Sequence, residues 1–151
     1  MIDNLVIRAA IPSERKALEA LQWCASLDNP GDRAALLAHP DAIELPIEQI
    51  VEGHVFVAEH DGALVGFAVV LPREDGAAEL DGLFVDPSSW RRGFGRQLVD
   101  RCAEVALARG SSAVHVIGNS HAEGFYVSCG FERLGTAPTR FGDGLSMHRP
   151  L

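Results

Sequence analysis

The chain has 151 residues, a mass of 16.2 kDa and a 47% apolar composition, which suits one domain with a sizeable core and excludes a disordered chain. A formal net charge of −8 argues against a nucleic-acid partner, because phosphate contacts dominate that kind of affinity. No apolar run reaches the roughly 18 residues of a membrane span, and the N-terminus has no basic-then-apolar leader pattern, so a soluble cytoplasmic protein without a membrane partner is expected.

In chain order, Leu5, Val6 and Ile7 read as a first strand. Ser13, behind Pro12, is placed to cap a helix that turns Ala17, Leu18, Leu21, Cys24 and Ala25 to the core. A break at Asn29-Pro30-Gly31-Asp32 precedes a short helix over residues 32–37, and residues 46–51 read as one further helical turn. Residues 55–58 and 63–71 form a hairpin around His60-Asp61-Gly62, an Asp-Gly turn signal. Residues 113–117 supply a later strand, and residues 131–134 and 145–148 the last two. The order implies one α/β domain over residues 1–151, with a mixed sheet and helices on both faces.

The stretch from 79 to 110 carries the chemistry. Leu80, Gly82, Leu83, Phe84 and Val85 make a strand that ends at Asp86-Pro87. Beyond Trp90-Arg91-Arg92-Gly93-Phe94-Gly95-Arg96 the period becomes helical, with Phe94, Leu98, Cys102, Val105 and Ala106 on one face. Gly110 follows Arg109, where a C′ glycine and a last-turn cation belong. The first N–H groups of a helix lack partners within it, and glycine lets an anion approach them closely. With Arg91, Arg92 and Arg96 beside them, the expected ligand is a phosphate or pyrophosphate. The turn alone is explained equally well by a solvated basic edge. A P-loop is excluded, since no Lys-Ser/Thr follows the glycines, and Leu98 stands where a dinucleotide fingerprint needs its third glycine.

At these residues the sequence resembles the GNAT superfamily of acyl-CoA-dependent N-acetyltransferases. Residues 90–95 match its [QR]-x-x-G-x-[GA] turn except at Trp90, and Asn119-Ser120-His121-Ala122-Glu123-Gly124-Phe125-Tyr126, Cys129-Gly130-Phe131 and Gly135 are similar to its second motif. The resemblance covers roughly residues 50–150 and implies a GNAT-like central sheet of six to seven strands flanked by helices on both faces. It implies acetyl-CoA as co-substrate, held by Leu83, Phe84, Val85, Arg91, Arg92, Gly93, Phe94, Gly95, Arg96 and Asn119, with no metal. A small-molecule primary amine is the implied acceptor, in keeping with the negative net charge, and a homodimer is common among such proteins.

Three catalytic positions follow from the resemblance. Tyr126, the chain's single tyrosine, falls at the general-acid position; a phenol of ordinary pKa about 10 suits a departing thiolate. By pattern alone it is a core tyrosine of an amphipathic helix. Glu79 falls where related enzymes carry the base; Asp81, two residues on, is expected to face the same side by strand alternation and to share the task directly or through water, and the alternative for Glu79 is a solvated strand-edge charge. The backbone of 83–85 is placed to polarise the carbonyl, unless that strand is fully paired. Asn119 also reads as a helix cap. Val114 stands where ribosomal-protein N-terminal acetyltransferases carry their base, which argues against a protein N-terminus as acceptor. Trp23 and His39 are candidates for the acceptor pocket, or the indole packs for structure alone.

Cys24, Cys102 and Cys129 are odd in number, widely spaced and expected to be buried, neither disulfides, zinc ligands nor nucleophiles. The six histidines show no metal-ligand spacing. Direct attack of a neutral amine is therefore the expected route. The rival readings are a non-catalytic CoA-binding module and a protein-lysine acetyltransferase.

Overall fold

A computed structural model describes residues 3–29, 32–139 and 142–151. The elements are β1 (Leu5–Ala9), α1 (Arg15–Leu27), α2 (Arg33–Ala38), α3 (Ile47–Val51), β2 (Val55–His60), β3 (Ala63–Pro72), β4 (Ala78–Val85), α4 (Phe94–Ala108), β5 (Ala113–Gly118), α5 (Glu123–Ser128), β6 (Glu132–Thr139) and β7 (Gly142–Pro150). The seven strands form one sheet in the order β1-β2-β3-β4-β5-β7-β6, with β4 and β5 parallel and every other pair antiparallel.

Strands β2 and β3 are apolar on both faces because both faces are covered. Val55, Val57, Phe67 and Val69 pack with Leu18 of α1 and Ile50 of α3, whereas Phe56, Ala58, Ala68 and Val70 pack with Phe94, Leu98 and Cys102 of α4. Full burial of each Leu or Phe here stabilises the fold by about 1.5–3 kcal/mol. The β2–β3 turn has Asp61 and Gly62 at φ 50 and 82, the positive angles that a two-residue hairpin turn needs.

The helical entry differs from expectation. Ser13 makes no cap; a 3-10 turn over Pro12–Glu14 comes first, and Glu14 Oε1 accepts the Ile11 N–H at 3.0 Å. Leu18, Leu21 and Ala25 turn inward, but Ala17 and Cys24 are exposed. One helix laid on a sheet buries a narrow stripe, and those two residues lie on its flanks. Of the predicted break, Pro30 and Gly31 lie outside the described residues. Strands β6 and β7 are longer than predicted because their mutual register, not an apolar run, sustains them from Glu132↔His148 to Thr139↔Gly142. Phe131 itself precedes β6 and is buried. No helix among the described residues is long and apolar enough to cross a membrane.

Candidate active site

Strands β4 and β5 pair only at Ala78↔Val114 and Glu79↔His115, although β4 runs on to Val85 and β5 to Gly118. Beyond those pairs the two strands part. The opening leads into a cavity of about 770 Å³, lined by residues 80–85, the turn at 89–96 apart from Arg92, residues 116–119, α5 and the end of α1.

The backbone accounting of β4 decides which groups face that gap. Asp86 N–H donates to Val65 O at 2.8 Å, which makes Gly66↔Val85 a non-hydrogen-bonded pair. Alternation then commits Phe84 to its pair with Phe67 and points the polar groups of Leu83 and Val85 away from β3. The Val85 carbonyl is taken, since Trp90 Nε1–H donates to it at 2.7 Å. The N–H groups of Leu83 and Val85 therefore face the opening, and Phe84 contributes its ring, stacked 5.3 Å from Phe67, rather than its amide. This separates three positions that sequence had grouped together.

In the turn, Arg91 and Gly93 adopt left-handed conformations, φ 63 and 85, immediately before α4 begins at Phe94. An arginine held at positive φ is uncommon, and successive N–H groups in such a turn form a concave anion-binding surface. Gly95 must be small, because a Cβ there would lie 3.2 Å from the Phe125 ring. Arg91, Gly93, Phe94, Gly95 and Arg96 line the cavity. Arg92 does not; its guanidinium lies 5.1 Å from the centroid of the Phe94 ring, a cation–π contact outside the cavity.

Asn119 follows β5, and its Oδ1 accepts the His121 N–H at 2.9 Å, capping the 3-10 turn that leads into α5. Its Nδ2 lies 3.4 Å from both Asn29 Oδ1 and Asp32 Oδ1 on the far wall. Tyr126 follows on α5 and is 8% exposed, with its ring edge-on to Phe125 and Phe131. No described protein group bonds its hydroxyl, and among the described residues no buried side-chain polar atom is left unpaired, so the hydroxyl opens onto the cavity. Burial raises its pKa, keeping the phenol protonated well past neutrality. Gly118 makes room for the ring, since a Cβ there would sit 3.0 Å from Tyr126 Cε2.

The two acidic candidates are separated by a β-bulge. Val69 pairs with Gly82 and Val70 with Leu80, leaving Asp81 as the extra residue. Asp81 lines the cavity. By surface area it is exposed, yet it sits on a concave wall where surrounding protein displaces solvent, and that desolvation raises its carboxyl pKa. Glu79 does not line the cavity; its Oε1 lies 3.9 Å from Arg73 Nη1 on the β3–β4 side. Val114 is 2% exposed in the core, so that position offers no base.

Neither Trp23 nor His39 lines the cavity. The α1–α2 wall is built instead by Ala25, Ser26, Asn29 and Asp32. Gly82 was legible only as a strand residue, although a Cβ there would lie 2.9 Å from the Phe84 ring. The Trp90 bond to Val85 had no signal in sequence, because it depends on where the turn folds back.

Comparison with known proteins agrees with this architecture. The model of the acetyltransferase (GNAT) family matches residues 16–131. A UPF0039 protein of Schizosaccharomyces pombe is 26% identical over 102 residues, and the match spans 66% of each chain, a little under two thirds of that relative's length. Among solved structures, a ribosomal-protein-alanine N-acetyltransferase from Brucella melitensis is 25% identical with a TM-score of 0.74, covering 97% of this chain and 99% of that one. The PaiA N-acetyltransferase from Thermoplasma acidophilum, solved in complex with coenzyme A, superposes with a TM-score of 0.77 at 17% identity, over 97% of this chain and 99% of its own. At that identity the likeness speaks for the fold. With the family model spanning most of the chain, this protein belongs to the acetyltransferase (GNAT) family, whose reaction moves an acetyl group from acetyl-CoA.

Proposed function

We propose that the protein transfers the acetyl group of acetyl-CoA to the nitrogen of a primary amine by direct attack, with Asp81 as the base and Tyr126 as the acid. The residues present suit the co-substrate. A diphosphate fits the N-terminal turn of α4, where Gly95 keeps the approach open and Arg91 and Arg96 supply charge. The open edge of β4 suits an extended pantetheine arm, with Leu83 N–H and Val85 N–H available as donors. Acetyl-CoA supplies the thioester acetyl group.

The chain's own residues handle the protons. Asp81 takes one proton from the acceptor ammonium, leaving the nitrogen lone pair free to attack. The new N–C bond forms as the C–S bond breaks; Tyr126 gives its hydroxyl proton to the departing thiolate, and the tyrosinate takes up the second proton that the acylated nitrogen sheds as it becomes the neutral amide. Hydrogen bonds from Leu83 or Val85 N–H stabilise charge on the carbonyl oxygen, the kind of preorganised donor that contributes most to such reactions. No cysteine is needed: Cys102 is buried among α4 and sheet side chains with its thiol pKa pushed up to about 12, and Cys129 is raised by burial as well.

The observation that carries the base assignment is the bulge, which puts Asp81 into the cavity while Glu79 stays outside it. In a thiol-release assay, Asp81→Asn is expected to lower kcat/KM about 100-fold, whereas Glu79→Gln changes it by less than about threefold. The acid limb of the parent pH profile is expected above the ordinary carboxylate range and absent from Asp81→Asn, because a desolvated carboxyl accepts a proton more readily. Equal losses in both variants would overturn the assignment.

A further inference from the structure

A second cavity of about 200 Å³ adjoins the first and shares Ser26, Asp32 and Phe84 with it. Leu36, Ile43, Ala35 and Ala42 make its apolar walls. Its volume and these apolar walls suit a short aliphatic chain.

Asp32 is placed unusually within it. The residue occupies the N-cap position of α2, where an aspartate ordinarily accepts an N–H of its own helix, yet its side chain makes no such bond. Among the described residues its carboxylate has no salt-bridge partner, and its one side-chain contact is the 3.4 Å approach of Asn119 Nδ2. Arg33, the adjacent cation, is directed elsewhere, donating to Leu27 O at 3.2 Å. Among the described residues Asp32 is the one charged group that lines the side cavity, with Gln22 and Ser26 its polar neighbours, whereas Asp81, Arg91, Arg96 and His121 line the main cavity. A carboxylate carried into the side cavity would meet a like charge and no described cation on its lining. A second positive group there would meet a carboxylate that no described cation neutralises.

We infer that the acceptor is a small aliphatic diamine, without a carboxylate, whose carbon chain enters the side cavity and whose far ammonium is held by Asp32. This rests on the acetyl-transfer reading above. It assigns Asp32 a role in choosing the substrate, distinct from the proton transfer at Asp81.

Three acceptors of equal chain length test it: 1,4-diaminobutane, butylamine and 4-aminobutanoate, each in a thiol-release assay at saturating acetyl-CoA. The expected order of kcat/KM is diamine, monoamine, amino acid, with the diamine ahead of butylamine by about tenfold, the scale of one charge-assisted hydrogen bond. Asp32→Asn is expected to erase most of that advantage, while coenzyme A affinity by calorimetry stays within about twofold. A monoamine preference in the parent protein, an amino acid turned over as fast as the diamine, or an unchanged ratio in Asp32→Asn overturns the inference. Calorimetry of 1,4-diaminobutane into coenzyme A-saturated protein separates the two levels. Heat that disappears in Asp32→Asn, with no thiol release from any amine, keeps the site and removes the acetyl-transfer reading; no heat and no release remove both.

Discussion

Tyr126 shows how burial and access combine in one side chain. Its ring is held between Phe125 and Phe131 and against Gly118, while its hydroxyl opens onto the cavity. Tyr126→Phe keeps the packing and removes the proton, so kcat is expected to fall about 100-fold with coenzyme A affinity intact by calorimetry. Parent-level turnover would remove the acid role. Asp81 makes the converse case, in which function opposes stability. Its carboxyl pKa is raised in the fold, so ionising it costs the native state more than the unfolded chain. Native stability is therefore lost as pH rises from the unfolded value through the raised one. Asp81→Asn escapes that loss, and thermal melts are expected to show the variant gaining on the parent at pH 7 relative to pH 3. A gain equal at both pH values would contradict the shifted carboxyl.

At the scale of elements, the site is a junction of three structural events: the bulge in β4, the parting of β4 from β5, and the left-handed turn into α4. Trp90 ties two of them together by donating to the Val85 carbonyl. Phenylalanine at this position keeps most of the contact surface and loses the bond, so Trp90→Phe is expected to weaken coenzyme A by about 1 kcal/mol, roughly fivefold in Kd. An unchanged Kd in titration calorimetry would show that the turn holds its shape without the tether. Strand β1 is fastened in a different way. Arg8 donates to Glu14 at 2.7 and 3.0 Å and to Glu59 at 2.9 Å, which holds the Glu14 carboxyl below the usual carboxylate range. A depressed carboxyl stabilises the fold above its unfolded pKa, and that stability is lost as pH falls through the folded value. Glu14→Gln is expected to lower Tm at pH 7 and to converge with the parent near pH 3. A constant gap would mean that the ion pair contributes little.

Across the whole molecule, net negative charge and a local positive turn act on different ligands. The chain carries −8, yet Arg91 and Arg96 face the cavity at the start of α4. Long-range repulsion of a polyanion is screened within about 10 Å at 0.1 M salt, whereas close contacts in a concave site are screened less. Added salt is therefore expected to weaken coenzyme A binding in the parent, and Arg96→Ala to reduce that slope as well as the affinity. A salt response identical in both would place Arg96 outside the anion's reach. Exposure also sorts the thiols: Cys24 is exposed while Cys102 and Cys129 are buried, so one cysteine is expected to react rapidly with a thiol reagent in the native protein. Three fast equivalents would indicate that the core opens readily.

Much of this architecture was legible because it follows from local rules. The change of period at Phe94 marked α4, the Asp61-Gly62 pair marked the hairpin, and Asn119 declared itself as a cap. Turn chemistry and side-chain period act over a few residues, so those parts of the chain determined themselves. Other features were decided only by tertiary structure. Ala17 and Cys24 lie outside the core because a single helix meets the sheet along a narrow stripe. Asp81, rather than Glu79, reaches the cavity because register against β3 inserts one residue, and a strand's facing depends on its partner. Asp32 leaves its helix uncapped, and its described side-chain contact is with Asn119, 87 positions away. Sequence spacing names the residue types that such a site needs; the pairing of strands determines which of them face the cavity.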